Sequence, residues 1–293
     1  MDSYPANYLD SVAPYDAVGD LVLEMQHSNR SWHSIIRDDR YVRMGLKHAW
    51  FTNPQKGVFY RLITPTERTT FLDVGAGSGI VSACLSADYE KGYALDLQQV
   101  FVDFMSRRFA QDSIHNVEVI HGNALAMPVP DQSVDLAAIN SLLQWIPHSE
   151  PASDPQLVQA RLLREVRRCL KPGGKVVLAV DNAWHHKQLR LQVSNFVSRA
   201  RGRPRREFSH SYFGYRRLLA DAGYSQVRLY VLLPHCDLPI DIYSFDRLAL
   251  NELFRKYHAR MRDKRIIKSA SDWLGVPYLW AYFEAAFYVV ATR

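Results

Sequence analysis

Three glycines at alternate positions, Gly75, Gly77 and Gly79, separate the short run Phe71-Leu72-Asp73-Val74 from a helical stretch, Ile80–Ser86. Glycine admits backbone angles closed to other residues and lets a ligand rest directly on the main chain. A nicotinamide or flavin fingerprint, Gly-x-Gly-x-x-Gly, fits neither frame here, because its third glycine falls on Ile80 or on Ser82. Asp73, near the end of the same run, would repel a pyrophosphate and favour an ammonium group. Asp96 closes the next apolar run, Tyr93-Ala94-Leu95, and lies 23 residues beyond Asp73. That is close to the ~20-residue interval at which an acidic side chain meets ribose hydroxyls. Together the two carboxylates ask for one ligand that is cationic and carries a ribose.

Positioning these residues takes short strands alternating with helices. Thr70–Val74, Gly92–Leu95, Val117–His121, Leu136–Asn140 and Lys175–Val180 read as strands, each followed by helical or loop sequence. Such alternation implies parallel pairing through crossovers, an α/β, doubly wound sheet of the Rossmann type. Ligands bind outside the carboxyl ends of such strands, so the residues that close each strand matter most. Tyr212–Ala222 reads as a helix ended by Gly223, and Ser225–Leu233 and Ala285–Ala291 as two more β-rich runs. About fifty residues separate these two runs, far more than a hairpin loop of ~2–5.

Three regions follow: an N-terminal helical cap over 1–68, a core over 69–233 with 285–293, and an inserted helical subdomain over 234–284. In the cap, Val18, Leu21, Val22 and Met25 recur at helical spacing behind the start signals Pro14 and Asp16. In the insertion, Leu250, Leu253, Phe254, Tyr257 and Met261 form an apolar stripe beside a basic remainder. A helix packed on the core is the expectation for that stripe, with a membrane-surface helix as the alternative.

S-adenosylmethionine is an adenosine-bearing cation that satisfies both carboxylates. At this point the residues resemble the class I S-adenosylmethionine-dependent methyltransferases, of the small-molecule, type 11-like group. Asp73-x-Gly75-x-Gly77-x-Gly79 is similar to their glycine motif, and Asp96 to their ribose carboxylate. Gly122-Asn123-Ala124-x-x-Met127-Pro128-x-Pro130-Asp131-x-Ser133-x-Asp135 resembles their adenine-recognition segment, with Asn123 where Asp is usual. Leu162-Leu163-x-Glu165-x-x-Arg168-Cys169-Leu170-Lys171-Pro172-Gly173-Gly174-Lys175 looks like their helix, turn and fifth strand, with Pro172 and Gly173 expected to turn the chain. The resemblance implies a seven-stranded sheet whose last strand is antiparallel. It also implies cofactor contacts from Asp73, Gly75, Ala76, Gly77, Gly79, Asp96, Leu97, Asn123, Ala124 and Asn140.

An already activated methyl group leaves the protein to align donor and acceptor, exclude water and, for an alcohol, take a proton. The fourth strand runs into Asn140-Ser141-Leu142-Leu143-Gln144-Trp145-Ile146-Pro147-His148 at the edge where an acceptor would sit. His148, His185 and His186 are the candidate bases. The leading expectation is O-methylation of a small saccharide or anionic metabolite, under a lid made by the leader and the insertion. An RNA methyltransferase and a non-catalytic partner subunit of the same fold are the alternatives, and salt dependence separates the first of these from a small-molecule enzyme.

Charge bears on the acceptor. The chain of 293 residues has a formal net charge of +6, but residues 1–150 hold 11 Lys and Arg against 18 acids, and the rest 25 against 12. Between Lys187 and Arg217 nine basic residues stand against the single acid Glu207, a set suited to oxyanions. At 47% hydrophobic and 23% charged residues, disorder and fibrous repeats are excluded. No apolar run approaches the ~18 residues of a membrane span, so a cytoplasmic protein is expected. Cys84, Cys169 and Cys236 are too scattered for a disulfide framework or a zinc cluster, and no metal is expected.

Overall fold

The structure is a computed structural model, and it describes residues 15–46, 48–57, 60, 69–185, 208–233, 240–260, 281–282 and 286–293. His186, Cys236, Met261 and the basic residues from Lys187 to Arg206 lie outside these, as do the side chains of Phe254 and Tyr257.

Eight strands form one sheet: β1 Thr70–Val74, β2 Lys91–Asp96, β3 Val117–His121, β4 Val134–Asn140, β5 Leu170–Asp181, β6 Ser225–Leu233, β7 Asp241–Ser244 and β8 Ala286–Thr292. Their order is β3-β2-β1-β4-β5-β8-β6-β7. β3, β2, β1, β4 and β5 pair in parallel, while β8 runs antiparallel to both β5 and β6. The strand order reverses between β1 and β4, the switch point at which such sheets bind ligands.

The eighth strand departs from the seven expected. β7 lies inside the insertion and pairs antiparallel with the outer edge of β6, through Tyr230↔Ser244 to Leu233↔Asp241. The insertion is therefore not wholly helical. At four residues, all half-buried, β7 has no alternation to betray it. β5 also begins earlier than expected. The expected turn at Pro172-Gly173 lies inside this strand as a bulge: Leu170 pairs with Val134 and Lys175 with Leu136, so the residues between loop out, with Gly173 at φ +79°.

Helices cover both faces. On one, α1 (Tyr15–His27) buries Val18, Leu21, Val22 and Met25 together with Trp32, Ile35, Tyr41 and Phe51 from three short helices, α2 (Trp32–Ile35), α3 (Asp39–Arg43) and α4 (His48–Thr52). They pack on Phe104 of α6 (Gln99–Gln111), and α5 (Ile80–Leu85) follows the glycine loop beneath them. On the other face lie α7 (Pro155–Cys169) and α8 (Tyr212–Asp221). Asp154 starts α7 by accepting from the Gln156 and Leu157 amides, with Pro155 at the first helical position. Ser211 caps α8 through the Gly214 amide. In α9 (Arg247–Arg260), Leu250 and Leu253 are buried against Val231, Leu233 and Ala281, as a core-packed stripe requires.

Candidate functional site

β1 ends at the glycine loop, where Gly75, Gly77 and Gly79 have φ of +69°, +53° and +71°. All three lie in the left-handed region that costs an L-residue with a side chain about 1–2 kcal/mol, which explains the alternate spacing. The Gly75 and Ala76 amides both donate to Leu95 O of β2, so the loop folds across the neighbouring strand end. A Cβ on Gly77 would meet nothing within 4 Å, and one on Gly79 would stand 2.8 Å from Phe109 Cζ. Gly77 therefore faces open space, and Gly79 faces α6.

Asp96 closes β2 beside this loop. Its Oδ2 accepts from the Gly77 amide at 2.8 Å and its Oδ1 from the Gln98 amide at 2.9 Å, so the carboxylate is fixed before any ligand arrives. Burial pushes its pKa upward against those amides. Asp73 is buried on β1, and its Oδ2 accepts from the Ser82 amide at 3.0 Å and the Ser82 hydroxyl at 2.6 Å, tying strand to helix α5. Burial raises its pKa to about 6, with Asp96 adding to the rise and the Ser82 bonds and Lys56 opposing it. Two buried carboxylates near the ends of neighbouring strands concentrate negative charge that a bound cation would stabilise.

Around the loop stand the remaining residues expected at the cofactor. Leu97, 38% exposed, offers an apolar surface next to Asp96. Asn123 turns the chain after β3, its Oδ1 accepting from the Leu125 amide at 2.9 Å, and Ala124 packs into the core. Asn140 ends β4, and its buried Oδ1 meets no donor among the described residues. Fixed carboxylates, an open glycine loop and an unsatisfied buried acceptor fit the ribose, the main-chain contacts and the ammonium group of S-adenosylmethionine.

Several motif residues instead hold the frame. Arg168 of α7 donates to Met127 O, Val129 O, Asp131 and Glu165, while Glu165 accepts from the Met127 amide. The two motif segments thus clip one another. Asp135 accepts from Thr69 Oγ1 and the Thr70 amide and pairs with Lys171 at 2.8 Å, locking the base of β1 to β4 and β5.

The acceptor edge is formed by the carboxyl ends of β4 and β5. Ser141 sits at φ +54° with its amide donating to Ala179 O, and Leu142 Cδ2 would be 2.8 Å from a Cβ on Gly75. The loop after β4 therefore leans on the glycine loop. His148, on the 3-10 turn Ile146–Ser149, packs against Phe208, and the His185 amide donates to Asn182 O just past β5. These two candidate bases come to the same edge.

Sequence reasoning passed over Asp181, Gln159, His210 and Arg108. Asp181 lies one residue beyond the apolar run that marked β5. His210 Nε2 and Gln159 Oε1 are 2.7 Å apart beneath the Ala183 turn. Arg108 is buried under Trp32 and donates to Ser78 O at 2.8 Å and Phe51 O at 3.1 Å, joining the leader to the glycine loop. Only a charged residue inside an amphipathic helix announced it.

Residues 72–178 match the family described as a methyltransferase domain. The chain is 30% identical over 142 residues to the biotin biosynthesis bifunctional protein BioHC of Cellvibrio japonicus, covering 45% of this chain and 26% of that one. To a demethylmenaquinone methyltransferase of Listeria monocytogenes it is 30% identical over 119 residues, 40% of this chain and 46% of that one. The matches thus span less than half the length of these curated relatives. A phosphoethanolamine N-methyltransferase of Haemonchus contortus, solved with S-adenosylhomocysteine, superposes with a TM-score of 0.56 at 16% identity. It covers 100% of this chain and 60% of that one, a likeness of fold. Residues 72–178 thus carry a methyltransferase-domain sequence, set in a sheet of the same fold.

Proposed function

We propose that the chain transfers a methyl group from S-adenosylmethionine to a hydroxyl of a small acceptor that is sugar-like or carries an anionic group. The observation that carries this reading is the Asp96 carboxylate, held by the Gly77 and Gln98 amides beside a glycine loop open at Gly77. When bound, the cofactor supplies an electrophilic methyl group on a sulfonium. Asp96 receives the ribose hydroxyls, Asp73 and the Asn140 oxygen balance the ammonium group, and Leu97 covers the adenine. His148 and His185 stand at the acceptor edge as candidate bases.

In sequence the basic stretch Lys187–Arg217 connects β5, whose carboxyl end forms the acceptor edge, to α8, which supports an anionic acceptor. The relatives are named for unlike reactions and therefore do not select an acceptor.

Calorimetry of the purified chain with S-adenosylhomocysteine tests the reading. Binding is expected in the wild type, and Asp96→Ala should weaken it at least tenfold while leaving the melting temperature within a few degrees. Unchanged affinity in Asp96→Ala would remove the ribose assignment. An acceptor affinity that falls steeply with added salt would favour RNA over a small molecule.

A further inference from the structure

From the buried polar groups at the ends of β4 and β5, we infer that Asp181 is the proton acceptor of a hydroxyl substrate, oriented by Gln144, and that the substrate's ring lies on Trp184 and Phe213. The inference rests on the methyltransferase reading above.

Register brings the groups together. Asn140 on β4 pairs with Ala179 on β5, so Asp181 lies two residues further along the same sheet face. Gln144 approaches from the loop that leans on Gly75, and its Nε2 donates to Asp181 Oδ2 at 3.3 Å. Both side chains are nearly inaccessible, at 1% for Gln144 and 5% for Asp181. With its amide nitrogen turned to the carboxylate, Gln144 must turn Oε1 away. That oxygen meets no donor among the described residues. Reversing the amide would set its oxygen against a carboxylate oxygen, so the orientation is fixed. A buried acceptor left without a donor is costly, and a ligand bearing a hydroxyl removes the cost.

An aromatic shelf adjoins this pair. Trp184, three residues past Asp181, is 36% exposed and its ring centroid is 6.0 Å from that of Phe213, which is 57% exposed. Phe213 stacks at an interplanar angle of 7° on Tyr282, whose carbonyl accepts from Asn182 Nδ2 at 2.8 Å. Exposed rings beside buried acceptors suit a molecule with one apolar flat face and hydroxyls at its edge, as a pyranoside has.

The step balances without a further reagent. The acceptor oxygen forms a bond to the methyl carbon as the carbon–sulfur bond breaks, and that electron pair stays on sulfur, leaving a neutral thioether. The hydroxyl proton passes to Asp181, and from there to water after release.

The test uses the full chain and two probes, methyl β-D-glucopyranoside and methyl β-D-glucopyranosiduronate. Saturation-transfer NMR on protein loaded with S-adenosylhomocysteine should show saturation of the ring C–H protons of at least one probe. Trp184→Ala should abolish it, raising KM at least tenfold with kcat little changed. Asp181→Asn, which keeps the shape, should lower transfer of radiolabelled methyl to that probe by ~10²–10⁴-fold. It should also remove the acid limb of the pH–rate profile and keep the S-adenosylhomocysteine affinity within threefold. Absence of ring saturation or of transfer for both probes overturns the inference, as does a wild-type rate in Asp181→Asn or a parallel loss of cofactor affinity. If the wild type fails to bind S-adenosylhomocysteine, the reading beneath it fails instead.

Discussion

Alanine at Gly77 and alanine at Gly79 should fail for different reasons, although the residues are two apart and share a positive φ of +53° and +71°. Both substitutions place a Cβ in the left-handed region, at about 1–2 kcal/mol each. At Gly77 that is the whole cost to the unliganded protein, because a Cβ there meets nothing within 4 Å. At Gly79 the new atom would stand 2.8 Å from Phe109 Cζ and 2.9 Å from Met105 Cγ. Phe109 and Met105 are packed with Ala94 under β2 and have little room to withdraw. Overpacking of that kind adds about 1–3 kcal/mol, giving Gly79→Ala a total of roughly 2–5 kcal/mol. At roughly 2–4 °C per kcal/mol for a chain somewhat smaller than this one, Gly79→Ala should melt about 5–15 °C lower and Gly77→Ala only a few degrees lower. Binding should rank them the other way. The open space at Gly77 is where the cofactor would rest on the main chain, and a methyl group there should weaken S-adenosylhomocysteine by about 1–3 kcal/mol, or roughly 5–150-fold. Thermal melts and calorimetry on the two variants decide it. Wild-type affinity in Gly77→Ala, or a melting loss equal to that of Gly79→Ala, would refute the assignment of that space to the cofactor.

Two further predictions concern charge. Arg108→Met strips Ser78 O and Phe51 O of their buried donor and Asp112 of a cation at 3.4 Å, so it should cost about 3–5 kcal/mol of stability. Arg108→Lys, which keeps the charge but lacks the fork, should fold and still bind S-adenosylhomocysteine several-fold more weakly; full affinity in that variant would mean the glycine loop does not depend on the leader. Asp73, raised to about 6 by burial, binds its proton more tightly folded than unfolded. Its contribution is therefore complete below the unfolded value near 3.9 and is lost as pH rises to about 6, on the order of 3 kcal/mol. Asp73→Asn should flatten the stability curve across that window, and parallel curves for the two proteins would contradict it.

What the sequence disclosed and what it withheld divide along the range of the interactions involved. β1 and β3 have the bounds that their apolar runs predict, since each is a local pattern of side chains. The glycine spacing is legible for the same reason, because each residue's φ is its own constraint. Arg108 is different: its partners Phe51, Ser78 and Trp32 lie 57, 30 and 76 positions earlier, and nothing near residue 108 distinguishes it from the solvated charges of an ordinary amphipathic helix. Glu165 and Arg168 were visible as motif text, yet their work is to grip Met127, Val129 and Asp131 some forty residues away. Pro172 and Gly173 are legible as a change of direction, since each is a local backbone constraint, but that the change is a bulge within β5, with Leu170 already paired to Val134, depends on β4 some forty residues away. Asp181 lies between these cases. Its place at a strand's carboxyl end is readable once β5 is carried one residue past Val180. Its neighbourhood is not, because Gln144 is 37 positions away and reaches it only after the loop from Asn140 has folded back against Gly75. A functional carboxylate of this kind is recognised by the unsatisfied oxygen beside it, and that is a property of the packed chain alone.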